Sequence, residues 1–290
     1  MTHGLVIRAR QIGVVRAEIR RGLSRPMSAK VSVLIGVYNA AETLPKTLDS
    51  IAAQTFGDFE VVAVNDASTD RSQAVLERFR LRWGADKLRI LTNPKNLGLT
   101  KSLNLGLKQV NSPYTARIDA DDWWHKDKLR LQVDFLDRHP DYGILGSAYT
   151  NVGSRRKTIV QVPATDADIR RTIAQRNPFA HSCVMFRTKL VKKLGGYDPK
   201  VRYGQDYDLW FRSLDQTKLA NLPENLCYRR TGSGISVDQQ RAQMRQSLRT
   251  KIKYIQRYRM GWTNYLAIIE PLTVMITPNW LRQLKRRLLA

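Results

Sequence analysis

Four consecutive residues, Asp119-Ala120-Asp121-Asp122, are the sharpest chemical feature of this 290-residue chain. They follow the apolar segment Tyr114–Ile118, which places the carboxylates at the end of a strand. Two carboxylates separated by one residue can face one hard cation such as Mg2+ or Mn2+, which prefers oxygen ligands, and such a cation can bridge to a diphosphate. Alone the pattern is weak, because acidic loops are common and Asp122 could simply cap the next helix. A second acidic loop strengthens it. Asn65-Asp66-Ala67-Ser68-Thr69-Asp70 follows the apolar run Phe59–Val64. Asp66 at that strand end suits a nucleobase N–H or a ribose hydroxyl, whereas Asp70 fits better as a helix cap.

Such loops need a frame that brings strand ends together, and the sequence supplies one. Val31–Val37 (VSVLIGV) is a continuous apolar run of the kind found in buried parallel strands. Strands at Phe59–Val64, Leu88–Leu91 and Tyr114–Ile118 alternate with helical patterns over 41–54, 70–83, 99–109 and 126–137. This predicts an α/β, Rossmann-like, mostly parallel sheet with helices on both faces, whose ligands gather at the carboxyl ends of the strands. Beyond residue 140 the pattern loosens. Short strands are expected near 143–148, 157–162 and 182–187, and helices near 166–174 and 206–215.

With 42% hydrophobic and 26% charged residues the chain is globular rather than disordered. Its net charge of +24 is concentrated at the ends, with +6 in residues 1–30 and +11 in residues 229–290. A basic amphipathic segment over 1–29 carries Ile12, Val15, Ile19 and Leu23 against Arg8, Arg16 and Arg20. A second helix, over 239–259, sets Met244, Leu248, Ile252 and Ile255 beside Arg241, Arg245, Arg249, Lys253 and Arg257. With Trp262, Tyr265 and Trp280 following, the pattern suits an anionic membrane surface, or a helix resting its apolar side on the core. Met260–Leu281 lacks Lys and Arg, but Glu270-Pro271 and Pro278 interrupt it, so no membrane span is expected. No secretory signal is visible. Cys183 and Cys227 match no metal spacing and read as buried thiols suited to a reducing compartment.

Seven segments in order then resemble a bacterial family 2 glycosyltransferase of the GT-A fold, the kind that builds polysaccharide or lipopolysaccharide. They are VSVLIGVYNA (31–40), VNDASTD (64–70), NPKNLGLTKSLNLGL (93–107), ARIDADD (116–122), NPFAHSCVMFR (177–187), GGYDPKVRYGQDYDLWFR (195–212) and NLPENLCYRRTGSGIS (221–236). The resemblance implies a catalytic domain over 30–237, with a nucleotide-binding half (30–122), an acceptor half (123–237) and a basic helical extension over 238–290. It implies that Tyr38, Asn39, Asp66, Asn96, Lys101, Asn104 and Arg117 surround a nucleotide-sugar donor, with a UDP-sugar favoured. Asp119 and Asp121 would hold Mg2+ or Mn2+, Asp121 more directly. Asp206 would be the catalytic base of an inverting transfer to a glycan or lipid-linked acceptor, with His181 and Gln205 on the acceptor side. The enzyme would work at the cytoplasmic face of the membrane.

The chain departs from the family where relatives carry Glu before the base, here Gln205, and histidine in the last loop, here Thr231, which leaves Arg229 or Arg230 to meet phosphate. Two other readings compete. A sugar nucleotidyltransferase would need a glycine-rich basic loop after its first strand, where this chain has Gly36-Val37-Tyr38-Asn39. A basic nucleic-acid-binding protein would need a helix-turn-helix, zinc-finger or RNA-binding signature, and none accompanies the charge.

Overall fold

A computed structural model describes residues 29–153, 156–231 and 237–277. Strands β1 (Val31–Val37), β2 (Phe59–Asn65), β3 (Leu88–Thr92) and β4 (Tyr114–Asp119) form a parallel block in the order β3-β2-β1-β4. Helices α1 (Leu44–Ala52), α2 (Ser72–Trp83) and α3 (Leu99–Gln109) make its crossovers. Because side chains alternate along a strand, each strand feeds two cores. Val31, Val33 and Ile35 of β1 pack with Leu44, Leu48 and Ile51 of α1 and with Leu129 of α4 (Lys128–Arg138). Leu34 and Val62 point the other way, against Leu103 and Leu107 of α3. Helices therefore cover both faces, as the alternating pattern predicts.

Gly106 explains how closely α3 lies on the sheet. A Cβ there would stand 2.4 Å from a Leu34 methyl and 2.9 Å from one of Val64.

The second half completes the sheet with β5 (Trp123–Trp124), β6 (Tyr142–Val152), β7 (Lys157–Val160), β8 (Met185–Arg187) and β9 (Lys218–Arg230). The order continues β4-β8-β6-β9-β5, with β7 on β6. β8 is antiparallel to both of its neighbours, and β9 runs parallel to β6. The long strand β9 was not among the expected elements, because Asn221, Pro223, Glu224 and Asn225 give its middle the composition of a turn. The structure resolves this with an irregularity: Ser147 pairs with Leu222 and Ala148 with Asn225, so Pro223 and Glu224 fall outside the ladder, exposed. The smaller helices are α5 (Asp166–Thr172) and α6 (Thr188–Lys193); the sequence pattern gave no sign of α6.

Helix α7 (Gln205–Ser213) is followed in sequence by β9 and then α8 (Val237–Arg257), which packs on α7. The face of α8 turned inward takes in only Ile255 of the expected stripe. Tyr254 and Ile255 are buried, whereas Met244, Leu248 and Ile252 are only half-buried. Tyr254 stacks on Phe211 at 4.6 Å, and its hydroxyl donates to the buried Asp208 at 2.8 Å. Arg212 donates to the same carboxylate at 2.7 Å. A 3-10 segment, Trp262–Ile268, and α9 (Ile269–Ile276) follow. The amphipathic stretch 5–23 and Trp280 lie outside the described residues. No described helix is long and apolar enough to cross a membrane.

Gly106→Ala is expected to lower stability by about 1–3 kcal/mol through overpacking between α3 and the sheet. Urea denaturation followed by circular dichroism checks this, and an unchanged midpoint would show that the helix has room to shift.

Candidate active site

The acidic loop is built on a buried cation. Arg117, on β4, has no exposed surface, and its guanidinium donates to Asp119 two residues on. Asp119 is the last residue of β4 and pairs in register with Gly36 of β1. Ser182, in a 3-10 turn spanning His181–Cys183, joins the group: the Asp119 N–H donates to its hydroxyl at 3.0 Å, and that hydroxyl reaches both Asp119 (3.1 Å) and Asp122. One hydroxyl proton faces two carboxylates, and the acids separate accordingly. Burial works to raise the Asp119 carboxyl, but the charge and hydrogen bond of Arg117, with help from Ser182, hold it down at about 2. Burial and the neighbouring Asp119 charge push Asp122 up to about 7.

Asp122 is therefore no helix cap. It accepts the Arg230 N–H at 2.8 Å and fastens the end of β9 to the loop. Asp121 differs from both: among the described residues no other side chain donates to it, and burial together with the Asp119 charge raises its pKa. A hard divalent cation fits this donor set. Asp121 offers a free carboxylate, Asp119 an ionised one, and no group of three or more His, Cys, Asp or Glu residues among the described residues forms a closed cage. Such a pair leaves coordination positions for phosphate oxygens.

A cavity of about 490 Å³ is lined by Tyr38, Asp66, Asn96, Gly98, Gln205 and Asp206 among others; Gly36, the register partner of Asp119, also lines it, but the acidic loop itself does not. Asp66 shapes one wall. Its carboxylate accepts from the Asn93 amide (2.7 Å) and from the backbone N–H groups of Leu97 and Gly98 (both 2.8 Å), and so folds the 93–98 loop around itself. Gly98 has φ 85°, a left-handed value that suits glycine. Tyr38 stands half exposed at the rim.

Of the residues expected around the donor, Arg117, Asp119 and Asp121 belong to the acidic loop and do not line this cavity, and Asn39, Lys101 and Asn104 do not line it either. Asn39 accepts the Thr69 N–H at 2.8 Å and braces the second acidic loop, which Asp70 also does by accepting from Ala41 N–H and Ser72 N–H. Lys101 is exposed on α3 and does not line the cavity, where Leu99 and Ser102 present themselves instead. Asn104 clips the backbone of Tyr197 at both ends, donating to its carbonyl (2.7 Å) and accepting its N–H (2.9 Å). Gly196 makes this clip possible, since a Cβ there would stand 2.6 Å from the Asn104 side-chain oxygen.

The other wall carries Asp206, in the first turn of α7 after Gly204. Asn177 donates to it at 2.8 Å. Burial nevertheless wins, and the Asp206 pKa rises above the ordinary carboxylate value despite Asn177 and the distant pull of Arg117. Gln205 is buried beside it. The His181 Nε2 lies 2.9 Å from the Tyr197 hydroxyl, and burial with the Arg117 charge drives its pKa well below the usual value, leaving a neutral imidazole. Cys183 and Cys227 are buried free thiols.

An α/β sheet with a cavity between Asp66, after a strand end, and Asp206, on α7, and with a paired-Asp loop at the end of the neighbouring strand β4, is the arrangement of a GT-A-type transferase. The Glycosyl transferase family 2 profile matches residues 32–195. The chain is 35% identical over 208 residues to the amylovoran biosynthesis glycosyltransferase AmsE of Erwinia amylovora, covering 70% of this chain and 76% of that one. It is 32% identical over 213 residues to an uncharacterized glycosyltransferase of Haemophilus influenzae, covering 71% and 78%. The chain belongs to glycosyl transferase family 2, and this membership decides for the transferase over the nucleotidyltransferase reading. The fold agrees. S. aureus TarS 1-349 in complex with UDP superposes with TM-score 0.65 at 22% identity, over 84% of this chain and 71% of that one. The mannosyltransferase PcManGT from Pyrobaculum calidifontis, in complex with GDP-Man and Mn2+, gives TM-score 0.63 at 19% identity, over 95% and 81%.

Sequence reasoning missed Ser182, Tyr197 and the bracing role of Asp122. A serine and a tyrosine distant in sequence carry no spacing signal, and only the antiparallel entry of β8 beside β4 brings Ser182 under the acidic loop. Ser182→Ala would leave Asp122 with the Arg230 N–H as its one remaining donor among the described residues and is expected to cost about 1–3 kcal/mol. A thermal-unfolding comparison of the two proteins measures this, and identical midpoints would mean that Ser182 holds nothing together.

Proposed function

We propose that this glycosyltransferase takes a nucleoside diphosphate sugar into the cavity between Asp66 and Asp206 and transfers the sugar, with inversion, to an acceptor hydroxyl of a cell-surface polysaccharide. The observation that carries the reading is that one cavity is lined at one side by Asp66, where the nucleoside would sit, and at the other by Asp206, a carboxylate with raised pKa. The polysaccharide part draws on the likeness to the amylovoran biosynthesis enzyme.

The chemistry assigns each residue a task. Asp206 accepts the proton of the acceptor hydroxyl as its oxygen attacks the anomeric carbon, and the bond to the diphosphate oxygen breaks. A positioned base of this kind contributes ~10²–10⁴-fold, most effectively when its pKa is lifted toward the working pH. Asn177 orients the carboxylate through its hydrogen bond. Asp121, with Asp119 beside it, would hold Mg2+ or Mn2+. Bound there, the cation would offset charge on the departing diphosphate. Arg117 keeps Asp119 ionised for that purpose.

Asp206→Asn should reduce release of nucleoside diphosphate from the correct donor by ~10²–10⁴-fold while leaving nucleotide affinity unchanged. Loss of nucleotide binding instead would move Asp206 out of the catalytic role. The wild-type rate should fall as pH drops through a pKa above the ordinary carboxylate range, because the base must be ionised. Asp121→Ala should weaken Mn2+-dependent binding of UDP or GDP in calorimetry, and equal affinity with and without chelator would remove the metal assignment.

The C-terminal region supports contact with an anionic membrane face. Trp262, Tyr265, Leu266, Ile269 and Leu272 are exposed at helical spacing, Trp262 by 78%, and Arg245, Arg249, Lys253 and Arg257 are exposed on α8. Apolar insertion and basic attraction act together in such surfaces. Trp262→Ala with Leu266→Ala should reduce pelleting with anionic vesicles even in high salt, and unchanged pelleting would deny this surface a membrane role.

A further inference from the structure

A second feature begins where the acidic loop ends. Trp123 of β5 pairs with Tyr228 of β9, and their rings stack at 5.6 Å, nearly parallel at 10°. The Lys46 ammonium, from α1, lies 3.1 Å from the centre of the Trp123 ring. Two residues beyond Tyr228, on the same side of the strand, stands Arg230. Arg230 is in register with Val152 of β6, and Val152 with Lys157 of the edge strand β7. Lys46, Arg230 and Lys157 are therefore gathered on one sheet face, all three exposed.

They lie close enough to repel. The Lys46 pKa is pushed down by burial first and then by Arg230 and Lys157. Among the described residues none of the three has an acidic partner within ion-pair distance. Like charges held together without a direct ion-pair partner mark a place for a multiply charged anion. None of these residues lines the cavity between Asp66 and Asp206. The shelf is nevertheless tied to the reacting region, because Asp122 accepts the Arg230 N–H and the Arg230 charge acts on Asp121.

We propose that this shelf binds a phosphate group carried by the acceptor, so that the acceptor of the transfer is a phosphorylated or diphosphate-linked sugar rather than a neutral one. Three cations match a phosphate of charge about −1.5 to −2 better than a single carboxylate. Lys46 is held by the ring beneath it, which reduces the freedom lost on binding. The inference rests on the transferase reading above, and its test keeps the two apart.

The 290-residue chain, loaded with UDP or GDP and Mn2+, is titrated with glucose 1-phosphate, glucuronate and glucose as probes. Glucose 1-phosphate should bind at least about tenfold more tightly than either of the others. Lys46→Ala with Lys157→Ala should remove that preference while UDP or GDP affinity stays within about twofold, which also shows that the variant is folded. Loss of nucleotide affinity together with the preference would overturn the proposal by assigning the cations to the donor. Equal binding of all three probes would overturn it too. Anionic and neutral vesicles separate a lipid headgroup from a soluble phosphate. If the double variant loses vesicle binding while glucose 1-phosphate never bound, the shelf serves the membrane and the acceptor assignment falls. Failure of UDP and GDP to bind the wild-type protein would count against the donor cavity, not the shelf; glucose 1-phosphate titrated onto the protein without nucleotide then decides the shelf by the same preference and the same double variant.

Discussion

A guanidinium with no exposed surface lies beneath the acidic loop, and the rest of the site follows from the need to compensate it. Arg117 stands in the middle of the sheet, where an unpaired charge would cost several kcal/mol. Asp119 supplies the counter-charge, Ser182 accepts a further guanidinium hydrogen at 3.4 Å, and the guanidinium Nε has no partner among the described residues. That pairing fixes the end of β4, and through Ser182 it fixes the 3-10 turn and the end of β9. The loop that would meet a diphosphate is thus set by a charge buried below it rather than by its own backbone.

The same arrangement sorts four acids by environment. Asp119 is held ionised by its cation, whereas Asp122 is lifted toward neutrality by burial and by its neighbour. Among the described residues Asp121 has no side-chain donor, and Asp206 is raised by its own burial some distance away along the chain. Environments that push neighbouring carboxyl groups apart are how one site assigns different tasks to the same side chain. Here the candidates for bracing, for ligation and for proton transfer are distinguishable by their surroundings alone.

Much of this frame was legible before any coordinates. The apolar runs of β1, β2 and β4 and the acidic residues closing two of them placed Asp66 and Asp119 at one edge of the sheet, and the strand order puts them on either side of β1. Helices whose apolar spacing was clear fell within a few residues of the expected limits. What stayed hidden were contacts without a local signature. Strand β9 was disguised by Pro223 and its neighbours, and the inward face of α8 depends on Tyr254, an aromatic that a search for aliphatic stripes passes over. Asn39 and Asn104 show the converse. An asparagine within a motif suggests a ligand contact, yet both side chains are occupied with backbone groups of their own chain. Composition cannot tell those uses apart, because the same amide serves either.

The stacking of Tyr254 on Phe211 also bears on how this enzyme can be handled. Basic C-terminal segments invite removal when a more soluble catalytic fragment is wanted, and residue 237 is the obvious place to cut. That cut would uncover the aromatic face of the helix that carries Asp206 and would deprive Asp208 of its hydroxyl donor, leaving Arg212 as its principal partner. A fragment made this way would carry a sticky apolar surface next to the helix that bears Asp206. Shortening from the far end, beyond α8, keeps that cover in place.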